Sequence, residues 1–161
     1  MTQAEDLVPV SLEDKNAFLA MATQHFQELD PDFVPHADWT SSYLEGICAN
    51  PDYRLLWILA DGERAGFILF GIEKHRFLPR LTGNIFELYV SPAFRRRGLA
   101  ARCAARAIAE MEERSPSKIQ LEVVEGNEGA KALWSSLGFR KVTDRFVLAP
   151  TKPVRSSAGP K

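Results

Sequence analysis

Three consecutive arginines followed by glycine, Arg95-Arg96-Arg97-Gly98, concentrate more potential chemistry than any other stretch of this chain. They stand between an apolar run that ends Leu88-Tyr89-Val90-Ser91-Pro92 and an alanine-rich segment running from Leu99-Ala100-Ala101 to about Glu113. A strand, a turn and a helix start in that order build an anion site. The first amides of a helix have no intrahelical partner, and the helix dipole favours negative charge beside them. Gly98 has no Cβ, so a bulky anion can reach the backbone. Guanidinium groups add planar, permanently charged donors suited to phosphate. The segment reads as a pyrophosphate cradle. Gly98 is the only glycine in the turn, so neither the dinucleotide fingerprint Gly-x-Gly-x-x-Gly nor the P-loop Gly-x-x-x-x-Gly-Lys-Ser/Thr is met.

A second constellation lies downstream: Leu121-Glu-Val-Val-Glu-Gly-Asn127, then Ala130, Leu133-Trp134 and Gly138-Phe139. Acidic residues sit inside both apolar runs, Glu87 in the first and Glu122 in the second. Strand alternation puts Glu87 with Tyr89, opposite Leu88 and Val90, and puts Glu122 with Gln120 and Val124. Either carboxylate is a candidate general base, or simply a strand carboxylate facing solvent or an arginine. The histidines His25, His36 and His75 fall in neither segment, which directs the search for a base to the acids.

Taken together, the two segments resemble the GNAT superfamily of acetyl-CoA-dependent N-acetyltransferases. Arg95, Gly98 and Ala100 fill its acetyl-CoA signature, Gln/Arg-x-x-Gly-x-Gly/Ala, and Leu88-Tyr89-Val90-x-Pro92 looks like its fourth strand. The downstream residues are similar to Asn-x-x-Ala-x-x-Leu-Tyr-x-x-x-Gly-Phe, with Trp134 in place of Tyr, and the match runs from residue 84 to 148. The resemblance implies acetyl-CoA as co-substrate, no metal, and a V-shaped gap between the fourth and fifth strands. Leu88, Tyr89 and Val90 would pair with the pantetheine arm. Backbone amides across Arg96, Arg97, Gly98, Leu99, Ala100 and Ala101 would take the pyrophosphate, with Arg95, Arg96 and Arg97 neutralising it. Asn127 and Trp134 would lie beside the cofactor. A primary amine of a small molecule or peptide would attack the thioester directly. The implied base is Glu122, which matches the base position of the branch acetylating protein N-termini, or Glu87, where many relatives also carry an acid. Asn84 stands where some relatives have a base, and Trp134 where a Tyr protonates the thiolate. Those departures leave a second reading open, a catalytically weak acyl-CoA-binding sensor or regulatory module.

Further elements must position these residues. Leu7 to Val10 suits a first strand, and Ser11-x-x-Asp14 opens a helix carrying Phe18, Leu19, Met21, Ala22 and Phe26. Leu29 to Pro35 breaks it, and a second helix fits about Ala37 to Ala49. Arg54 to Ala60 and Ala65 to Ile72 flank Asp61-Gly62, a hairpin signal. Glu73 to Gly83 reads as strand end and loop, Ile119 to Val124 as a fifth strand, and Arg140 to Leu148 as at least one closing strand. The predicted fold is α/β (α+β): a GNAT-like, mixed, mostly antiparallel sheet of six to seven strands, splayed between strands 4 and 5, with helices on both faces. One domain is expected over 1–149 and a disordered tail over 150–161.

Composition is that of an ordinary globular protein: 161 residues, 45% hydrophobic, 25% charged, net charge −1. No global field draws it to nucleic acid or membrane. Arg102 and Arg106 extend the arginine cluster, but Glu110, Glu112 and Glu113 argue against a polyanion groove. Cys48 and Cys103 offer neither a disulfide framework nor metal-ligand spacing. The expected location is cytoplasmic and the expected partners are acetyl-CoA and an amine-bearing acceptor; monomer and homodimer stay open. Asp30, Asp32, Asp38 and Trp39 make either an acidic, aromatic rim for a cationic amine or a polar surface loop.

Overall fold

The hairpin at Asp61-Gly62 organises the sheet. Both residues adopt positive φ, 53° and 79°, matching the primed turns whose twist suits paired strands. They join β2 (Tyr53–Ala60) to β3 (Glu63–Lys74). The next strand, β4 (Leu81–Val90), starts earlier than the sequence suggests, inside the basic stretch expected as loop. β1 (Leu7–Pro9) flanks β2, and β5 (Lys118–Gln120) flanks β4. The result is a five-stranded sheet in the order β1-β2-β3-β4-β5, antiparallel except for the parallel β4–β5 pair. This computed structural model describes residues 7–151, so the expected tail falls outside the described residues from 152 onward.

Two helices cover each face. On one side lie α1 (Lys15–Leu29) and α2 (Ala37–Cys48); on the other lie α3 (Leu99–Glu112) and α4 (Glu128–Ser136). Ahead of α1, the Ser11 N–H donates to Asp14 Oδ2 at 3.1 Å in a capping box around a short 3-10 turn. The buried stripe of α1, Phe18, Ala22 and His25, then follows i, i+4, i+7 spacing. Phe18 packs with Leu44, Trp57, Phe67, Leu69 and Tyr89 in the first core layer. Across the sheet, Ala104, Ala107, Met111 and Trp134 cover Leu56, Ile68, Phe70 and Ile85. Truncating a buried Phe such as Phe18 to Ala costs about 3–5 kcal/mol.

Two local devices shape β4. Leu69 opposes Glu87 and Phe70 opposes Ile85, which leaves Phe86 as the extra residue of a bulge. Bulges bend a strand and re-aim its side chains; here Glu87 and Tyr89 turn toward α1 and α2, while Leu88 and Val90 face α3 and α4. Beside them Gly66 lets β3 close on β4, since a Cβ there would stand 1.9 Å from the Tyr89 carbonyl oxygen.

The sheet departs from expectation at its far edge. Five strands form among the described residues, not six to seven. β5 stops at Gln120 instead of reaching Val124, and Arg140 to Leu148 forms no strand. The reason is the missing edge: once the chain leaves β4 after Gln120, no extended ladder remains for a further strand to pair with. Val142, Phe146, Val147 and Leu148 are consequently exposed, and the Arg145–Glu122 ion pair holds the segment nearby by side chains alone. Among the described residues no helix is long and apolar enough to cross a membrane.

Candidate active site

The parting of β4 and β5 creates the site. Their parallel register covers only Thr82–Lys118, Gly83–Ile119 and Asn84–Gln120. Beyond it β4 continues for another turn of pleat while the other chain swings away through Val124 to Asn127. A polar network locks the closed end. Gln120 Nε2 donates to Asn84 Oδ1 at 3.0 Å, Asn84 Nδ2 donates to Glu73 at 3.1 Å, and the Tyr53 hydroxyl donates to the same carboxylate at 2.7 Å. Burial, together with that carboxylate, pushes the Tyr53 phenol up to about 12. Asn84 is thus a structural clasp at the base of the gap.

The open end is a cavity of about 570 Å³. One wall is made of backbone. Ser91 N–H bonds the Ala65 carbonyl across to β3 at 2.7 Å, so by antiparallel alternation the peptide groups of Leu88 and Val90 turn away from β3 into the gap. Opposite them run Val124, Glu125, Gly126 and Asn127. At the mouth Arg96 and Gly98 both take left-handed φ, 65° and 75°. The N–H groups from Arg96 to Ala101 have no protein partner among the described residues. Such a nest of amides leading into α3 has the donors and the dipole a diphosphate requires. A Cβ on Gly98 would lie 2.8 Å from the Arg102 guanidinium, the movable end of a long side chain, so what ties this position to glycine is its φ of 75°.

The other wall is made of side chains from α1 and β4. His25, only 7% exposed, brings Nε2 to 2.5 Å from Glu87 Oε2. Glu28, one turn on, accepts two hydrogen bonds from the Arg95 guanidinium at 2.6 and 2.8 Å. Arg95 also donates Nε to the Val90 carbonyl at 2.8 Å and lies 5.6 Å over the Tyr89 ring. Burial raises the Tyr89 phenol, with the Glu28 charge adding to it. Behind this wall Phe26, Phe33, Trp39 and Tyr43 form a chain of ring contacts at 5.1 to 6.1 Å. Burial raises the Tyr43 phenol too, and the Glu87 charge adds to it.

Sequence-predicted residues are distributed unevenly around this space. Leu88, Tyr89, Val90, Arg95, Ala100 and Asn127 line the cavity, whereas Arg96, Arg97, Gly98, Leu99 and Ala101 sit at its mouth or behind it. Arg95 reaches across to α1 instead of toward the α3 N-terminus. Arg97 turns outward to Asp61 and the Ala93 carbonyl, both at 3.4 Å. Asn127 caps α4, its Oδ1 accepting from Ala130 N–H at 3.1 Å. Trp134 is buried against Phe139 at 5.5 Å and does not line the cavity. Glu122 lies outside it, its side chain 73% exposed and paired with Arg145. Glu87 stands behind His25. His25 and Glu28 were missed because neither belongs to a motif. The available signal was a lone imidazole on the apolar stripe of α1, where a leucine would otherwise serve.

Comparison with known proteins agrees with this geometry. Residues 19–139 match the model of the acetyltransferase (GNAT) family. The [ribosomal protein bS18]-alanine N-acetyltransferase of Salmonella typhimurium is 40% identical over 99 residues, 62% of this chain and 63% of the relative. The N-alpha-acetyltransferase MAK3 of Arabidopsis thaliana is 37% identical over 78 residues, 48% of this chain and 40% of the relative. The matched stretch thus spans less than two thirds of either protein. Among solved structures, a transcriptional regulator from Bacillus halodurans C-125 superposes with a TM-score of 0.77 at 14% identity, covering 91% of this chain and 99% of its own. A ribosomal-protein-alanine N-acetyltransferase from Brucella melitensis biovar Abortus 2308 gives 0.71 at 23% identity, with the same coverage.

Proposed function

We propose, from the premise that this chain belongs to the GNAT family of acetyltransferases, that it moves an acetyl group from acetyl-CoA to a primary amine. The observation that carries this is the half-open sheet: a β4 edge whose Leu88 and Val90 N–H groups turn into the gap, ending in a nest of unpaired amides at the start of α3. An extended pantetheine arm can add to that edge like a strand, and the amides of Arg96 to Ala101 can hold the pyrophosphate. The free Val90 N–H is then placed to polarise a thioester carbonyl. The protein is read as one cytoplasmic domain.

The acceptor approaches from the opposite face, between α1 and β4. Glu28, Glu87 and the ring cluster offer an acidic, aromatic setting for a cation. The relatives' names point to protein N-termini, and we assign a peptide α-amine as the first class to test. The chain's own residues supply donors for the carbonyl and a polar group for the ammonium proton. The position from which the resemblance would bring a Tyr to the leaving thiolate holds Trp134, which packs into the core.

A thermal scan with and without acetyl-CoA tests the reading. Ligand at a hundred times its dissociation constant adds about 2.7 kcal/mol of stability; no shift at millimolar acetyl-CoA removes the proposal. Release of CoA thiol is then followed with peptides beginning in alanine, with lysine side-chain peptides and with a polyamine. The placement of Trp134 and Glu122 favours one alternative, an acyl-CoA-binding module without turnover. It predicts the thermal shift with no thiol release from any amine.

A further inference from the structure

His25 is remote in sequence from both motifs, and the fold carries it to the cavity wall. Its ring is enclosed by Phe26, Tyr89 and Phe67 at centroid distances of 5.1, 5.3 and 5.7 Å. An imidazole in such company is costly unless hydrogen-bonded. Nε2 has its partner, Glu87 Oε2 at 2.5 Å, 62 residues away in the chain. A carboxylate only accepts, so Nε2 carries the proton, and in the neutral ring Nδ1 holds the lone pair. Nδ1 has no protein partner among the described residues. The only fully enclosed, unpartnered side-chain oxygen or nitrogen among them is Glu45 Oε2, so Nδ1 is not sealed. His25 lines the cavity, and Nδ1 is the ring nitrogen left for a ligand there.

We propose that His25, held by Glu87, is the proton acceptor for the incoming ammonium group; this rests on the acetyl-transfer reading above. The bulge in β4 puts Glu87 on the face toward α1, so the base and the thioester meet across the same strand from opposite sides. The ammonium gives one proton to Nδ1 and becomes a neutral amine. Its lone pair forms the C–N bond at the thioester carbon, and the C–S bond breaks with its electron pair leaving on sulfur. The remaining excess proton on nitrogen passes to that thiolate. Amide and CoA thiol result, and the imidazolium returns its proton to solvent.

The charged and titratable groups facing this pair come from each element packed around it. Glu87 and Tyr89 lie on β4, Tyr43 on α2 and Glu28 on α1; Arg95 follows β4, and Glu125 is across the gap. Arg95 and Glu28 are paired with each other, and Lys131 holds Glu125 at 2.9 Å. Burial pushes both phenols up, which keeps them protonated. Among these groups, His25 alone is an imidazole on the cavity wall with a ring nitrogen that has no partner among the described residues.

The test uses His25→Gln and Glu87→Gln in the full chain, with kcat measured against pH on the amines named above. Nitrogen NMR follows the imidazoles in parallel, with His25 assigned by its loss in His25→Gln. The expected result is a fall in kcat of about 10²- to 10⁴-fold in His25→Gln, with its acid limb gone. Glu87→Gln shows a smaller loss and an acid limb moved to lower pH, because the anion favouring the imidazolium has been removed. The thermal shift with acetyl-CoA is the same in all three proteins. The wild-type His25 ring is in the Nε2–H tautomer, and Glu87→Gln mixes the two. An unmoved acid limb in Glu87→Gln, or an Nδ1–H tautomer in the wild type, overturns the proposal. If His25→Gln does not fold, those two measurements still decide, because His25 is then assigned as the imidazole whose signal survives in both His36→Gln and His75→Gln. Absence of any acetyl-CoA shift instead rejects the reading beneath it.

Discussion

The two walls of the cavity are built from different materials. The wall proposed for the cofactor, from Leu88 through the Arg96–Ala101 amides to Asn127, presents mostly backbone, drawn from two short runs of sequence. The wall proposed for the acceptor presents side chains: His25, Glu28 and the Phe26–Phe33–Trp39–Tyr43 rings, with His25 and Glu28 reaching partners 62 and 67 residues away. A backbone site restricts residue type at the few positions where φ is positive or a Cβ would intrude. A side-chain site is assembled by packing, and its members look like core. The walls should therefore respond differently to substitution.

The largest effect is expected on the backbone wall. Gly98→Val forces a β-branched residue into φ 75° and displaces the movable Arg102 guanidinium beside it. Strain of about 1–3 kcal/mol is typical of such conformations, and the amides lose their clear approach. Acetyl-CoA affinity should fall about a hundredfold, or about 2.8 kcal/mol, in a calorimetric titration. An undiminished affinity breaks the idea that this wall works through its peptide groups.

Next comes Trp39→Ala on the opposite wall. Trp39 stacks on Tyr43 at 5.1 Å and meets Phe33 and Phe26 edge-on. Aromatic pairs of this kind are worth about 0.5–1.5 kcal/mol each, so a loss of about 2 kcal/mol in stability is expected by denaturant titration. The KM for the amine should rise while acetyl-CoA affinity stays put. A change in both sharpens nothing and merges the walls.

The same contrast explains what the sequence could disclose. Gly98 and the Asp61-Gly62 turn were legible because positions of positive φ or close approach admit few residues, whereas Asn127 came from the family pattern and its capping of α4 was not foreseen. The positions of α1, α2 and the central strands followed from periodicity. The pairing of His25 with Glu87 was not legible. It depends on a bulge at Phe86 and on the rotation of α1, neither of which leaves a local signature. The closing strand failed for a related reason: Phe146-Val147-Leu148 has strand composition, but a strand also needs a neighbour's edge.

Acid should separate the walls as well. The Ser11 N–H, then the Trp57 indole and Arg64, hold the Asp14 carboxyl below its ordinary 3.8. A lowered folded value means that the stabilisation is present above the unfolded value and lost as pH falls through the folded one. Since Asp14 ties the start of α1 to β2 and β3, hydrogen exchange in α1 should quicken below about pH 4 before exchange in α3 does. Asp14→Asn should remove the pH dependence of that difference.

The smallest effect belongs to Glu122→Gln. The family resemblance made this the leading base, yet its side chain is 73% exposed and engaged with an equally exposed Arg145. Surface pairs of this kind contribute about 0–1 kcal/mol, so melting temperature should barely move. Glu122 does not line the cavity, whereas His25 does. If protons leave the amine on the α1 side, kcat in Glu122→Gln stays within about twofold of wild type, against the 10²- to 10⁴-fold expected at His25. A collapse of kcat in Glu122→Gln with acetyl-CoA binding intact would reverse the assignment. The base would then belong to the cofactor wall, Arg145 would have to swing aside during turnover, and the chemistry would sit on the side of the gap that backbone alone was thought to build.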